Sequence, residues 1–181
     1  SGVTEADTLV ETIASGSYAS SNTNIIQALL PNTQYVTNIW THDSYGHTVS
    51  ATETTNYTAA TTPADPVITN LTIDTLDITL DTDDNPAITT YAIQLSDGSA
   101  FYYLQADGTL GASEAWQTKT EWSTTTVTGL TAGTSYVAHA KARNEEDEET
   151  VFSGTVSDTT NEEDTSGDPS SDTTPPTLSD F

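Results

Sequence analysis

The sequence predicts an all-β chain of antiparallel β-sandwiches in tandem, of which the first is only a partial domain. The main observation is an internal repeat, since residues 129–136 (GLTAGTSY) correspond to residues 28–35 (ALLPNTQY). The two tyrosines, at positions 35 and 136, lie 101 residues apart, and each follows a leucine by six residues. Both copies continue as an alternating strand. A repeat of domain size indicates an array of one β unit.

The repeated segment resembles the fibronectin type III family, in which G-L-x-P-G-T-x-Y leads into strand F and an Asn ends that strand. The second copy matches this pattern at Gly129, Leu130, Gly133, Thr134, Tyr136, Ala142 and Asn144, and the first at Leu29, Pro31, Thr33 and Tyr35. The resemblance implies a tyrosine corner, in which the Tyr hydroxyl binds upstream main chain while its ring enters the core. We expect Tyr35 and Tyr136 to form such corners. In the second copy Leu130 should close the adjoining end of the core, and Leu29 has the same place in the first copy. The family's core Trp near the end of strand B is replaced by Leu80.

The 101-residue offset divides the chain into four segments. Residues 1–60 match only the later half of a domain, strands E to G. Residues 61–158 form a complete fibronectin type III-like domain. Residues 158–174 contain no aliphatic or aromatic side chain, so we expect residues 159–173 to be a flexible acidic linker. Residues 174–181 are either the first strand of a further domain or a strand donated to another subunit.

The half domain at residues 1–60 would leave an apolar face and unpaired strand edges open. Two explanations compete. Either the chain is a segment of a longer array of domains, or the missing strands come from a neighbouring subunit by strand addition. We expect the partners to be other copies of the protein or neighbouring domains, and surface glycans form a second candidate class.

The composition excludes several classes of partner. The chain has 27 acidic and three basic residues, for a formal net charge of −24. Nucleic acid and anionic membranes would be repelled. There is no Cys, so disulfides and Cys metal sites are excluded. No apolar run is long enough for a spanning helix, and we expect no direct membrane insertion in this stretch of chain.

One acidic loop has spacing typical of a calcium ligand set, and calcium is the one cofactor that we consider. Asp81 and Asp83 sit at alternate positions. An EF-hand is excluded, because it needs Gly and Glu where this chain has Pro86 and Ala92. A looser calcium site at Asp81, Asp83 and Asp84 competes with a solvated acidic loop.

No signature of a nucleophile, a metalloprotease or a phosphate-binding loop occurs, and we predict no catalytic site. Trp116 and Trp122 could stack on sugar rings, although aromatic residues at strand spacing also serve as packing residues. Asn56 and Asn70 each begin an N-glycosylation sequon, which requires surface exposure.

These features favour a non-enzymatic structural or adhesive protein outside the cell, at the surface of a bacterium or archaeon. Its β-sandwich repeats would build a stalk, filament or layer. The alternative is a spacer or carbohydrate-binding module of a secreted glycoside hydrolase, which predicts polysaccharide binding that depends on Trp122.

Overall fold

The structure is a computed structural model of the 181-residue chain, and it describes residues 27–38, 40–42, 45, 47–50, 53–81 and 84–164. Over these residues the chain consists of short strands and one helical turn. In order these are β1 (Gln34–Thr37), β2 (Trp40–His42), β3 (Thr48–Ser50), β4 (Thr54–Tyr57), β5 (Val67–Thr69), β6 (Leu76–Thr79), β7 (Thr90–Ser96), β8 (Phe101–Leu104), β9 (Leu110–Gly111), β10 (Gln117–Thr118), α1 (Lys119–Trp122), β11 (Thr124–Val127), β12 (Ser135–Arg143) and β13 (Val156–Thr159). None of the helical residues described is part of a segment long and apolar enough to cross a membrane.

Strands β5 to β13 form two antiparallel sheets. One sheet has the order β11-β6-β5, and the other has the order β13-β12-β7-β8-β9, with β10 also paired to β7. In fibronectin type III terms, β5, β6 and β11 take the places of strands A, B and E, and β7, β8, β12 and β13 those of C, C′, F and G. The predicted fold class, an antiparallel fibronectin type III-like β-sandwich, is confirmed by this strand order.

The core lies between the facing sides of the two sheets. In β6, Leu76 and Ile78 are buried and alternate with partly exposed polar residues, which is the period of two expected for a strand with one wet face. In β12, Tyr136 and a run of alternate alanines face inward. The remaining core side chains include Leu80, Tyr91, Ile93, Leu95, Leu104, Trp122, Val127 and Leu130.

Trp122 supplies the large core aromatic that strand B lacks. Its side chain is 2% exposed, and its Nε1–H donates to the Tyr91 carbonyl at 2.9 Å. The turn α1 places it there through a capping box: Thr118 Oγ1 accepts the Glu121 N–H, while the Glu121 carboxylate accepts the Thr118 N–H. A buried tryptophan N–H thereby has its partner.

The edge of the larger sheet that strand G would occupy is irregular. β13 begins at Val156, and residues 150–155 run beside β12 without regular pairing. The Thr150 N–H and Ser153 N–H bind the carbonyls of Ala142 and Ala140, at 2.8 and 2.7 Å. Three residues therefore advance along this edge for every two of β12, which is an irregular, bulged edge.

Strands β1 to β4 form an F–G hairpin of the same kind as β12 and β13. β1 pairs with β4 from Gln34↔Tyr57 to Thr37↔Thr54, and β2 pairs with β3. Among the described residues β1 has no partner besides β4, whereas its equivalent β12 pairs with both β13 and β7. The sequence-predicted E strand of this unit falls mostly outside the described residues.

Candidate functional site at the junction between the hairpin and the sandwich

Each repeat contains a tyrosine corner with the same hydrogen bond. Tyr35 Oη accepts the Leu30 N–H at 3.0 Å, and Tyr136 Oη accepts the Thr131 N–H at 3.0 Å. The surroundings differ, because the Tyr136 ring is buried and Leu130 is only 7% exposed. The equivalent Leu29 is 38% exposed, so the expectation that it closes the end of a core is not met within the described residues.

A threonine clasp is also repeated in both corners. Thr58 Oγ1 accepts the Thr33 N–H at 3.0 Å and donates to the Leu30 carbonyl at 2.6 Å. In the second corner the same two bonds, at 3.0 and 2.6 Å, join Thr134, Thr160 and Thr131. The two corners therefore have the same backbone connections.

The first corner docks on one end of the sandwich through Asn32, which is 1% exposed. Its Nδ2 donates to Thr89 Oγ1 at 2.9 Å, and its Oδ1 accepts the Glu145 N–H at 3.0 Å. Thr89 is itself fully buried. A buried carboxamide thus has both its donor and its acceptor partnered across the junction.

Two more asparagines hold the junction from the sandwich side. Asn85 forms a two-bond clamp on Thr61, accepting its N–H and donating to its carbonyl, both at 2.7 Å. Asn144 Nδ2 donates to the Thr58 carbonyl at 3.1 Å. Ala60, between these contacts, is buried against the core. The connecting segment is therefore bonded along its length.

Asn144 also shapes the acidic F–G loop. Its Oδ1 accepts the N–H groups of Glu146 and Glu148, at 3.0 and 2.8 Å. The Glu146 carboxylate in turn accepts the Tyr57 N–H at 3.2 Å, and Arg143 pairs with Asp147 at 3.0 Å. This acidic F–G loop, residues 145–149, is therefore one wall of the junction.

A second polar cluster lies on the outer face of the larger sheet. Lys141 is 8% exposed, and its Nζ contacts carboxylates of Glu114 at 2.7 Å and Glu149 at 2.5 Å. The rings of Trp116 and Phe152 lie 5.3 Å from the same nitrogen. Burial opposes the charge of Lys141, but the two carboxylates outweigh it and raise the pKa of the lysine.

Beside this cluster His139 stacks on Phe152, with ring centroids 4.0 Å apart, and its Nε2 lies 2.8 Å from Gln94 Oε1. Burial lowers the pKa of His139. The cluster connects residues 111–118 to β12 and to the F–G loop through Glu114, Trp116 and Glu149. Its role is therefore structural.

The prediction of sugar stacking by Trp122 is wrong, because that side chain is enclosed in the core and cannot present a ring face. Trp116 is partly exposed, but Arg143 packs on its ring at 4.5 Å from the centroid, and Lys141 lies near it. Neither tryptophan is an open platform of the kind that stacks on sugars.

The calcium loop falls only partly within the described residues. Asp83 lies outside them, Asp84 is exposed, and the Asp81 carbonyl accepts Lys119 Nζ at 2.8 Å. In the part of the chain that the structure describes, no three acidic or histidine side chains come together in a way that could hold a metal. Calcium binding stays a prediction.

Both sequon asparagines are exposed. Asn56 lies in β4. Asn70 has a left-handed backbone, with φ of 50°, and its Nδ2 donates to Asp77 Oδ2 at 2.8 Å. A glycan on Asn70 would be attached to the same nitrogen that donates this hydrogen bond.

Asn32 and Asn85 do not stand out in the sequence as junction residues, because asparagine is common in turns for local reasons. Asn32 stands where the second copy of the repeat has Gly133, and both residues have positive φ, 39° and 61°. Asparagine is the residue that most readily replaces glycine in this conformation, so the repeat alone does not indicate the role of Asn32. That role is evident only from its burial and its two bonds across the junction.

Comparisons with known proteins gave similarities of structure only. No family model matches the chain, and no curated protein matches it. Solved structures with a similar fold include the FN1–FN3 domains of chicken CNTN1, at 17% identity and a TM-score of 0.45, over 75% of this chain and 45% of that one. Domains d3–d4 of rat CD45 are 14% identical, with a TM-score of 0.44, over 82% of this chain and 72% of that one. The fibronectin type III domain of human fibronectin type III domain containing protein 3 is 23% identical, with a TM-score of 0.43, over 61% and 92%.

Proposed function

We propose that this chain is a non-enzymatic structural protein outside the cell, in which sandwich units build a surface stalk, filament or layer. In this proposal a neighbouring subunit completes the open hairpin by strand addition. A large negative net charge suits such a role, since it keeps an exposed, repetitive surface hydrated and soluble.

The observation that carries the proposal is the open edge of β1. In the complete unit the equivalent strand β12 is covered on both sides, and its inward side chains are buried. In the hairpin β1 has one partner among the described residues, and Leu29 is exposed where its equivalent Leu130 is buried. Tyr35 is only partly buried, whereas Tyr136 is enclosed. An unpaired strand edge beside exposed apolar side chains favours the addition of a further strand.

The junction supports the same role. A strand added to β1 would be connected to the sandwich through the hydrogen bonds of Asn32, Asn85 and Asn144 rather than through a single peptide link. Mechanical force could therefore be transmitted from one unit to the next, and the relative orientation of the units would be fixed.

The alternative as a sugar-binding accessory module is less well supported, because the burial of Trp122 removes the residue on which it depended. A spacer role beside a catalytic unit makes no demand on the tryptophans. It predicts a monomeric chain, and that separates it from strand addition.

The test measures the mass of the full chain by light scattering over a range of protein concentrations. Strand addition predicts oligomers that grow with concentration. If residues 174–181 supply the strand, a chain ending at residue 173 stays monomeric. A full-length control with Ser170→Ala and Ser171→Ala should assemble like the parent. A full chain that stays monomeric at all concentrations would overturn the proposed assembly.

A further inference from the structure

We propose that the end of the sandwich formed by Thr89 and Glu145 is a receptor for one carboxamide, and that the corner of the preceding sandwich docks there through Asn32. Asn32 is then the residue that sets the specificity and the fixed orientation of the junction. The inference deepens the proposed structural role and rests on it.

The chemistry of the receptor matches a primary amide. Thr89 Oγ1 accepts from the NH₂ group at 2.9 Å, and the Glu145 N–H donates to the carbonyl oxygen at 3.0 Å. Asn32 and Thr89 are both buried, so water cannot readily replace either partner. Breaking either hydrogen bond therefore costs free energy. In place of Asn32, Gly would have no side-chain polar atom for the receptor, and Asp would bury a negative charge beside the acidic F–G loop.

The sandwich prearranges the receptor. The Thr89 N–H donates to the Pro86 carbonyl at 3.0 Å, which fixes the turn before β7. Asn144 Oδ1 accepts the N–H groups of Glu146 and Glu148, which come after Glu145 in the F–G loop. Both partners of Asn32 therefore belong to turns that the complete unit stabilises by itself.

The second corner of the chain shows what the first corner would be without the side chain of Asn32. Gly133 occupies the position of Asn32 within the same set of corner bonds. A Cβ built there meets only Glu162 Cγ, at 3.5 Å, and the left-handed φ of 61° is what favours glycine at this position. A receptor of this kind would accept the corner at residues 30–33 and reject the corner at residues 131–134. This selectivity fixes which sandwich end can join which.

The experiment uses the full chain with Asn32→Gly, which keeps the left-handed backbone and copies the second corner. A second variant, Thr89→Val, removes the receptor's hydroxyl at nearly constant volume. The matched control is Asn70→Gly, which also removes a left-handed asparagine, but one whose side chain donates to Asp77 and to no residue of the junction described above.

Two measurements read the junction. Residual dipolar couplings of residues 34–57 and 67–159 should fit one alignment tensor in the parent and in Asn70→Gly, and two tensors in both junction variants. Hydrogen exchange of the Glu145 amide should accelerate by at least about tenfold in Asn32→Gly. Unchanged core resonances of the sandwich show that the variants fold.

The proposed docking of Asn32, called the lock below, would be overturned if the parent protein required two alignment tensors. It would also be overturned if Asn32→Gly and Thr89→Val both kept a single tensor and the Glu145 amide exchanged as slowly as in the parent. These readings concern one chain. A monomeric protein with a single tensor would contradict the assembly proposed above and leave the lock in place, whereas filaments with two tensors would do the reverse.

Discussion

Substitution of the two corner tyrosines by phenylalanine compares one hydrogen bond in two environments. Tyr136→Phe removes the acceptor of the Thr131 N–H, 3.0 Å away, in a partly buried corner with a buried ring. A net hydrogen bond is worth roughly 0.5–1.5 kcal/mol, and an unsatisfied buried donor costs roughly 1–3 kcal/mol. We expect Tyr136→Phe to lower the free energy of unfolding by about 1–2 kcal/mol. In Tyr35→Phe the Leu30 N–H is exposed and can bind water, so we expect less than about 0.5 kcal/mol.

The assay is urea unfolding followed by tryptophan fluorescence, to which the buried Trp122 contributes, together with hydrogen exchange of the Leu30 and Thr131 amides. For a domain of this size 1 kcal/mol corresponds to a fall in Tm of roughly 4–8 °C. A Tyr136→Phe protein within 0.5 kcal/mol of the parent would refute the view that this corner stabilises the sandwich. Equal losses from the two substitutions would show that burial does not decide the cost.

Three other predictions concern the core and the outer face. Trp122→Phe removes the hydrogen bond from Nε1 to the buried Tyr91 carbonyl and also removes ring volume, so urea unfolding should show a loss of about 2–4 kcal/mol. Burial raises the pKa of Glu114, but its bond to Lys141 outweighs this and the net pKa is lowered. The stability contributed by Glu114 is therefore present above its unfolded pKa of about 4.3 and lost as the pH falls through the lower folded pKa. Lys141→Met should reduce this acid dependence of Tm. Burial lowers the pKa of His139, so stability falls as the pH drops below about 6.5, and His139→Gln should flatten the Tm profile between about pH 7 and 5.

The fold could be predicted from sequence because its determinants are local and repeated. Alternation in β6, where Leu76 and Ile78 face inward, and the corner pattern ending in Tyr136 each mark one element and its buried face. The 101-residue repeat then relates the hairpin to β12 and β13. These signals depend on spacing along the chain, which a sequence displays directly.

The junction could not be predicted because its partners are distant in sequence. Asn32 meets Thr89 and Glu145, which are 57 and 113 residues away, and no spacing rule connects them. The role of Trp122 was misjudged for a similar reason. A tryptophan just before a strand can face either way, and the capping box of a four-residue turn directs this one inward.

Electron microscopy of the purified full chain tests the central claim most directly. The proposed function predicts regular filaments or layers whose repeat contains one 181-residue unit, with an added strand along the free edge of β1. Separate particles of single-chain size at every concentration, with no strand beside β1, would contradict it.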